Sequence, residues 1–346
     1  LVRWLALLLI VFNSASPQAD TARVAFGSCS DANRPDHPIW TSLYQARPDV
    51  LLLIGDNVYA DTPDFRLNPS RRGLQIEYEK LEAAPSFQRL RNAIPIYATW
   101  DDHDYGLNDG GREFKLKDVS QQVFFDFWQV SLDRPERQTP GVYSERWLAK
   151  AGVQIQILLL DTRYFRSTLI ADAQDDRCPI RNVGQNLADD ATILGSAQWQ
   201  WLNESLRKPA DVRVIASSIQ VISDQHCWER WGAFPNERER LFRTIAESGA
   251  RNVFIVSGDR HLGEISKLPG SDDFGLDYPL YDVTSSPLSA RSGFGEGEVN
   301  RYRVGQDNVR VSNFGVVEID LIKKQALLSL RDRTGEVLIG ASVPLE

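Results

Sequence analysis

Short apolar runs that stop abruptly at polar clusters recur along the chain. Ala22–Phe26 ends at Gly27-Ser28-Cys29-Ser30, Val50–Ile54 at Gly55-Asp56-Asn57, and Ile94–Thr99 at Trp100-Asp101-Asp102-His103-Asp104. Val153–Leu160 ends at Asp161-Thr162-Arg163, Val212–Ala216 at Ser217-Ser218, and Val253–Val256 at Ser257-Gly258-Asp259-Arg260-His261. Runs this short and this uniformly apolar suit strands buried on both faces of a helix-covered sheet. Helical spacing fits His37–Ala46, Val119–Val130, Ser196–Leu206 and Asn236–Ser248. The pattern therefore predicts an α/β fold. In such sheets ligands bind beyond the carboxyl ends of the strands, where loops converge, and every polar cluster falls at such an end. Val316–Leu321, Ala326–Asp332 and Glu336–Val343 read as a β-meander, with Arg333-Thr334-Gly335 as one turn, and are expected to add a second sheet. Arg166–Leu194, rich in Asp, Asn and Arg, is expected to be a surface excursion near the site.

Composition narrows the function classes. The 346 residues are 42% hydrophobic and 25% charged, which is ordinary globular usage and excludes a disordered or fibrous chain. The net charge of −8 argues against a nucleic-acid scaffold, because phosphate backbones are held by basic patches. It leaves room for an enzyme that handles phosphate through metal cations. Arg far outnumbers Lys, and Arg is the bidentate reader of anions. No repeat, charge block or Pro/Gly/Ser linker divides the chain, so one domain is expected over 19–346.

Residues 1–18 have a different character. Arg3, the apolar run Trp4–Phe12 and the small, turn-forming Asn13-Ser14-Ala15-Ser16-Pro17 match the pattern of a secretory signal peptide. No paired Arg or lipid-accepting Cys accompanies it, so export by the general secretory route to a secreted or periplasmic location is expected. The apolar run is short for a bilayer span, and no membrane partner is expected. In an oxidising compartment Cys178 and Cys227 are candidates for a disulfide, which leaves Cys29 as a free thiol or a ligand.

The strand ends gather Cys29, Asp56, Asn57, Tyr59, Asp61, Asp101, Asp102, His103, Asp104, Asp161, Asp259 and His261. So many carboxylates on one rim repel each other unless cations neutralise them. Hard oxygen donors favour Ca²⁺, Mg²⁺ or Mn²⁺, whereas thiolate, phenolate and imidazole favour a transition metal such as iron. A mixed two-metal site is the economical reading, and such sites clamp phosphoryl groups and prepare a hydroxide. Taken singly each residue is weaker: Asp56 reads equally well as a helix N-cap, and Tyr59 as packing. Yet two of the chain's four His, His103 and His261, fall inside these clusters.

The strings Phe26-Gly27-Ser28-Cys29, Gly55-Asp56-Asn57-Val58-Tyr59-Ala60-Asp61, Thr99-Trp100-Asp101-Asp102-His103-Asp104-Tyr105-Gly106, Leu160-Asp161-Thr162-Arg163 and Ser257-Gly258-Asp259-Arg260-His261 resemble, in order, the alkaline phosphatase D (PhoD-like) family of calcineurin-like metallophosphoesterases. The resemblance runs from about Ala22 to the C-terminal strands. The separate N-terminal β-domain of larger family members is expected to be missing. The resemblance implies a four-layer α/β/β/α sandwich with two mixed sheets and a two-metal centre, typically Fe³⁺ with Ca²⁺.

Carried over residue by residue, it implies Asp56 as the carboxylate shared by both metals. Cys29, Tyr59 and His261 complete the iron side, and Asp102 and Asp259 serve the second metal. In the wider superfamily the Asp102 position is usually an amide and the Asp259 position often His, so this chain's second site is harder and favours calcium. The superfamily's further His ligand after the Val212–Ala216 strand is replaced by Ser217, Ser218 and Gln220. His103 resembles the family's substrate-contacting His and is the candidate general acid, with Asp104 to orient it. Arg163, Arg260 and Asn57 are candidate phosphate contacts. The aromatic loop Trp228, Trp231, Phe234, Pro235 reads either as a hydrophobic plug or as a wall for the organic part of a diester, with Trp231 as the substrate-contacting candidate. Phe294, in the glycine-rich Ser292–Gly297 stretch, raises the same question.

The function expected is hydrolysis of small-molecule phosphate mono- and diesters by a metal-activated hydroxide, in a chain read as a monomer. A narrow phosphodiesterase or phospholipase D-like enzyme is the alternative within enzymes. A non-catalytic metal-bound binding protein is the alternative from another class.

Overall fold

In the computed structural model, which describes residues 21–150, 152–172, 182–320 and 322–346, the apolar runs form the centres of two six-stranded sheets. In the first sheet β1 (Thr21–Gly27), β2 (Val50–Ile54) and β3 (Ile96–Thr99) run parallel. The second sheet contains β4 (Ser144–Lys150), β5 (Val153–Leu159), β8 (Val212–Ala216), β9 (Val253–Ser257), β10 (Gly263–Leu268) and β11 (Leu280–Ser285), in the order β10-β11-β9-β8-β5-β4. There β5, β8, β9 and β11 are parallel, and β4 and β10 are antiparallel edges. β6 (Ile170–Ala171) and β7 (Val183–Gly184) form a separate two-stranded pair.

The reason for uniformly apolar strands is visible in β2. Leu52 and Ile54 point into a core shared with Ile155, Ile157, Val214 and Val256 of the second sheet. Leu51 and Leu53 point the other way, into a core shared with Trp40, Leu74, Phe87 and Phe124. Alternate residues thus serve two different interiors, and neither face tolerates a polar residue. The first sheet is covered by α1 (Pro38–Gln45), α3 (Arg71–Glu82), α4 (Pro85–Ala93) and α6 (Lys117–Phe127). The second is covered by α7 (Gly195–Leu206) and α8 (Pro235–Glu247), whose Trp199, Leu202, Leu241 and Phe242 meet Leu158, Ile215 and Ile255. Single turns α2 (Pro63–Leu67) and α5 (Asp102–Tyr105) sit at the strand ends. The result is an α/β/β/α sandwich with both sheets mixed.

Two expectations need correction, and helix α3 has no counterpart in the sequence pattern. The C-terminal meander β12 (Asn313–Asp320), β13 (Gln325–Asp332), β14 (Val337–Pro344) does not make the second sheet. It extends the first, because β12 pairs antiparallel with β1 along Thr21–Phe26. The second sheet is completed instead by β4, β10 and β11, which were too mixed in polarity to stand out in the sequence. Helix α3 also escapes periodicity, since it buries chiefly Leu74, Tyr78 and Leu81 in an otherwise polar segment; its signal is Ser70, whose Oγ accepts from Gly73 N at 3.2 Å. Finally, Arg166–Leu194 is not simply a surface excursion, for Arg166, Val183, Ile193 and Leu194 are all buried.

Cys29 is a free, buried thiol and Cys227 is disulfide-bonded. Cys178, its expected partner, lies outside the described residues, as does the leader read over 1–18. Among the described residues no helix is long and apolar enough to cross a membrane.

Candidate metal centre

The parallel strands of both sheets deliver their carboxyl ends to one rim, and the backbone there is held in unusual conformations. Cys29, Asp56, Asp259 and His261 all adopt positive φ, at 60°, 48°, 67° and 52°. Such conformations cost a non-glycine residue of order 1–3 kcal/mol and persist where surrounding structure enforces them. At Gly55 only glycine serves, because its φ is 118° and a Cβ would lie 2.6 Å from Asp101 Cβ. That close approach brings the loops after β2 and β3 together. The loops after β1 and β2 are joined by Cys29 N to Gly55 O at 3.2 Å and Ser30 N to Asp56 O at 2.8 Å.

Asp56 is the common member of three groups whose donor atoms lie within 4.8 Å of one another: Cys29, Asp56 and His261; Asp56, Asp102 and His103; and Asp56, Asp101, Asp102 and Asp259. Cys29 Sγ lies 3.4 Å from Asp56 Oδ2 and takes a contact of 3.1 Å from Ser286 Oγ. Tyr59 OH is 3.0 Å from His261 Nε2. The six residues expected to hold metal are therefore gathered on one rim.

Their electrostatics point the same way. Burial, then Asp56 and Asp259, push the Cys29 thiol up; burial, then Cys29 and Asp56, do the same to the Tyr59 phenol. Burial raises Asp56 and Asp101 against the opposing pull of His103 and Arg163 respectively, and raises Asp259 to about 7. Burial drives His261 down to about 4, which keeps the imidazole neutral. Asp102 is buried too, but His103 and Arg163 outweigh that burial and hold it low. Asp101 Oδ2 and Asp102 Oδ1 are buried with no hydrogen-bond partner. Crowded carboxylates with unpaired buried oxygens beside thiol, phenol and neutral imidazole are the donor set of a cation site, so these residues fit a bound metal pair.

The substrate-facing candidates separate. His103 reaches the rim as expected, with its N–H 3.2 Å from Asp56 Oδ1 and its Nδ1 2.7 Å from Asp61 Oδ1. Burial works against its charge, yet Asp102, Asp56 and Asp61 together raise it to about 11. Asp104 does not orient it: its carboxylate accepts from Asn57 N at 3.2 Å, Asn57 Nδ2 at 2.5 Å and Asp101 N at 2.5 Å. Asn57 is correspondingly committed, giving Nδ2 also to Thr99 O at 2.9 Å. Arg163 is displaced from its expected role. It is fully buried between Asp101 and Glu229, with Nε 2.5 Å from Asp101 Oδ1, and does not line the cavity beside the cluster. Arg166 pairs with Glu229 from the other side at 2.7 Å. Trp231 is likewise the plug and not the wall: it is fully buried, packs in the core under α7 and α8, and donates Nε1–H to Ser217 Oγ at 3.0 Å.

Beside the metal-ligand cluster opens a cavity of about 200 Å³ lined by Asp102, His103, Asp259, Arg260, His261, Trp228 and Phe294 among others. A larger groove between the outer faces of α7 and α8 contains none of these groups. Arg260 lines the cavity, held by Glu298 at 2.6 Å. Asp61 lies within the Gly55–Asp61 motif, whereas nothing in the linear chain marks Glu229 or Ser286.

Residues 24–330 match the family described as PhoD-like phosphatase. The chain belongs to that family. This PhoD-like chain is 22% identical over 303 residues to alkaline phosphatase D of Bacillus subtilis (strain 168), an alignment covering 75% of it and 50% of the relative. It thus spans about half the length of that curated relative. A solved structure of PhoD superposes with a TM-score of 0.70 at 16% identity, covering 94% of this chain and 68% of the other. At that identity the likeness speaks to the fold, and it agrees with the two-sheet sandwich of this PhoD-like chain.

Proposed function

We propose that the protein is an exported, metal-dependent phosphoesterase that hydrolyses small-molecule phosphate monoesters and diesters outside the cytoplasm. The observation that carries the reading is the position of Asp56, common to three overlapping donor groups beside a cavity that also exposes His103 and Arg260. Family membership supports it. Cys29, Tyr59 and His261 supply the donor types that suit Fe³⁺, and Asp102 and Asp259 the hard oxygens that suit Ca²⁺, with Asp56 shared. When bound, such a pair supplies Lewis acidity toward the phosphoryl oxygens and lowers the pKa of the attacking water. His103, with Nδ1 tied to Asp61, has its second ring nitrogen for the leaving group and would protonate the departing alkoxide. Arg260 would contact the phosphoryl group, its guanidinium steadied by Glu298. The leader read over residues 1–18 supports export, which the N-terminal sequence of protein recovered outside the cell would check.

The testing experiment assays p-nitrophenyl phosphate and bis-p-nitrophenyl phosphate side by side, with and without chelator, on protein of measured iron and calcium content. Chelator-sensitive hydrolysis is the expected result, and the ratio of rates separates a general phosphatase from a narrow diesterase. Metal-loaded protein silent on both esters would overturn the reading.

A further inference from the structure

Two aromatic rings flank the cavity outside the hydrophobic core clusters. Trp228 is half-buried, lies outside the hydrophobic cores, and carries the Arg260 guanidinium 5.3 Å above its ring. Phe294 is 43% exposed and meets the His261 ring edge-on at 5.5 Å. Arg260 and His261 are consecutive, so the rings bracket the dipeptide that joins the candidate phosphate contact to the candidate metal ligand. The segment bearing Phe294 is anchored on both sides of the ring. Before it, Ala290 N donates to Cys29 O at 3.0 Å; after it, Asn308 Nδ2 donates to Gly295 O at 2.8 Å, and Glu298 takes Arg260 at 2.6 Å while its carbonyl accepts from Arg303 at 2.8 Å. A large apolar ring fixed at a polar mouth, with no core to fill, is placed to meet something outside the chain.

Resting on the phosphoesterase reading, we infer that Trp228 and Phe294 form an apolar wall selecting phosphate esters that bear one planar, aromatic organic group. The cavity, about 200 Å³, is below the ~300–1,000 Å³ usual for drug-sized ligands, so a phosphoryl group and roughly one ring fill it. Aromatic faces reward planar groups over alkyl or polyol groups through stacking and water exclusion, while Arg260 and the metal side hold the anion.

The test compares inhibition by phenylphosphonate and methylphosphonate, whose P–C bonds are not hydrolysed, of p-nitrophenyl phosphate turnover by the metal-loaded full chain. Phenylphosphonate is expected to bind about tenfold more tightly, and that ratio to collapse toward one in Phe294→Ala and in Trp228→Ala. Phe294→Tyr and Trp228→Phe are expected to restore most of it, which separates wall from fold. A wild-type ratio near one, or a ratio unchanged in both alanine variants, overturns the wall while turnover of p-nitrophenyl phosphate leaves the phosphoesterase reading standing. Absence of that turnover in metal-loaded protein overturns both.

Discussion

Asp61 Oδ1 lies 2.7 Å from Nδ1 of His103, and Asp61 is itself paired with Arg66. The pair fixes which ring nitrogen is available to the cavity, a task that sequence proximity had suggested for Asp104. Asp61→Asn should therefore lower kcat by about ten- to a hundredfold, a part of the ~10²–10⁴ supplied by a positioned acid, while metal content and fold stay as in the parent. Asp104→Asn should instead loosen Asn57 and lower stability; steady-state kinetics with denaturant titration on the two variants distinguishes the roles.

Asp56 is shared by every candidate donor group among the described residues. Asp56→Ala should cost both metals together, read by elemental analysis, and reduce turnover by about a hundredfold or more. A variant that keeps one metal at full occupancy would show that the carboxylate is not shared.

Arg163 has neither solvent nor cavity in reach and sits between Asp101 and Glu229. Arg163→Met should destabilise the fold by ~3–5 kcal/mol, the usual cost of leaving buried charges without their partner. Urea unfolding measures it. A stable variant with only a raised KM would restore Arg163 to the substrate side.

Trp231 fills the core between α7 and α8, so Trp231→Ala should cost ~3–5 kcal/mol. The ratio of diester to monoester rates should not move. Differential unfolding and paired assays of the two p-nitrophenyl esters supply the check.

His37 caps α1 by accepting from Ile39 N at 3.3 Å. Burial, then Arg34 and Arg333, lower it from 6.5 to about 4. Between those values the unfolded chain binds the proton and the folded chain does not, so stability falls as pH drops from 6.5 toward 4. His37→Asn retains a capping oxygen and removes that proton, and its stability should fall less across the same interval, followed by denaturant midpoints at each pH.

The α/β class, the central strands and most metal-ligand candidates are legible in the sequence for a local reason. Residues 51–54 must be apolar on both faces, and the chemistry follows directly at Asp56 and Tyr59, so strand and ligand are neighbours in the chain. The same holds for Asp102 and His103 after β3 and for Asp259 and His261 after β9. What tertiary structure alone decides is which groups meet across those loops. The joining of β12 to β1, the pairing of Asp61 with His103, the burial of Arg163 between Asp101 and Glu229, and the exchange of Trp231 for Trp228 at the cavity all depend on contacts between distant segments. Glu229 lies 66 residues from Arg163, and Ser286 lies 257 from Cys29. A single residue's chemistry is written in the chain, but whether its charge is spent on a neighbour or offered to a ligand is settled only when the sheets pack and exclude water.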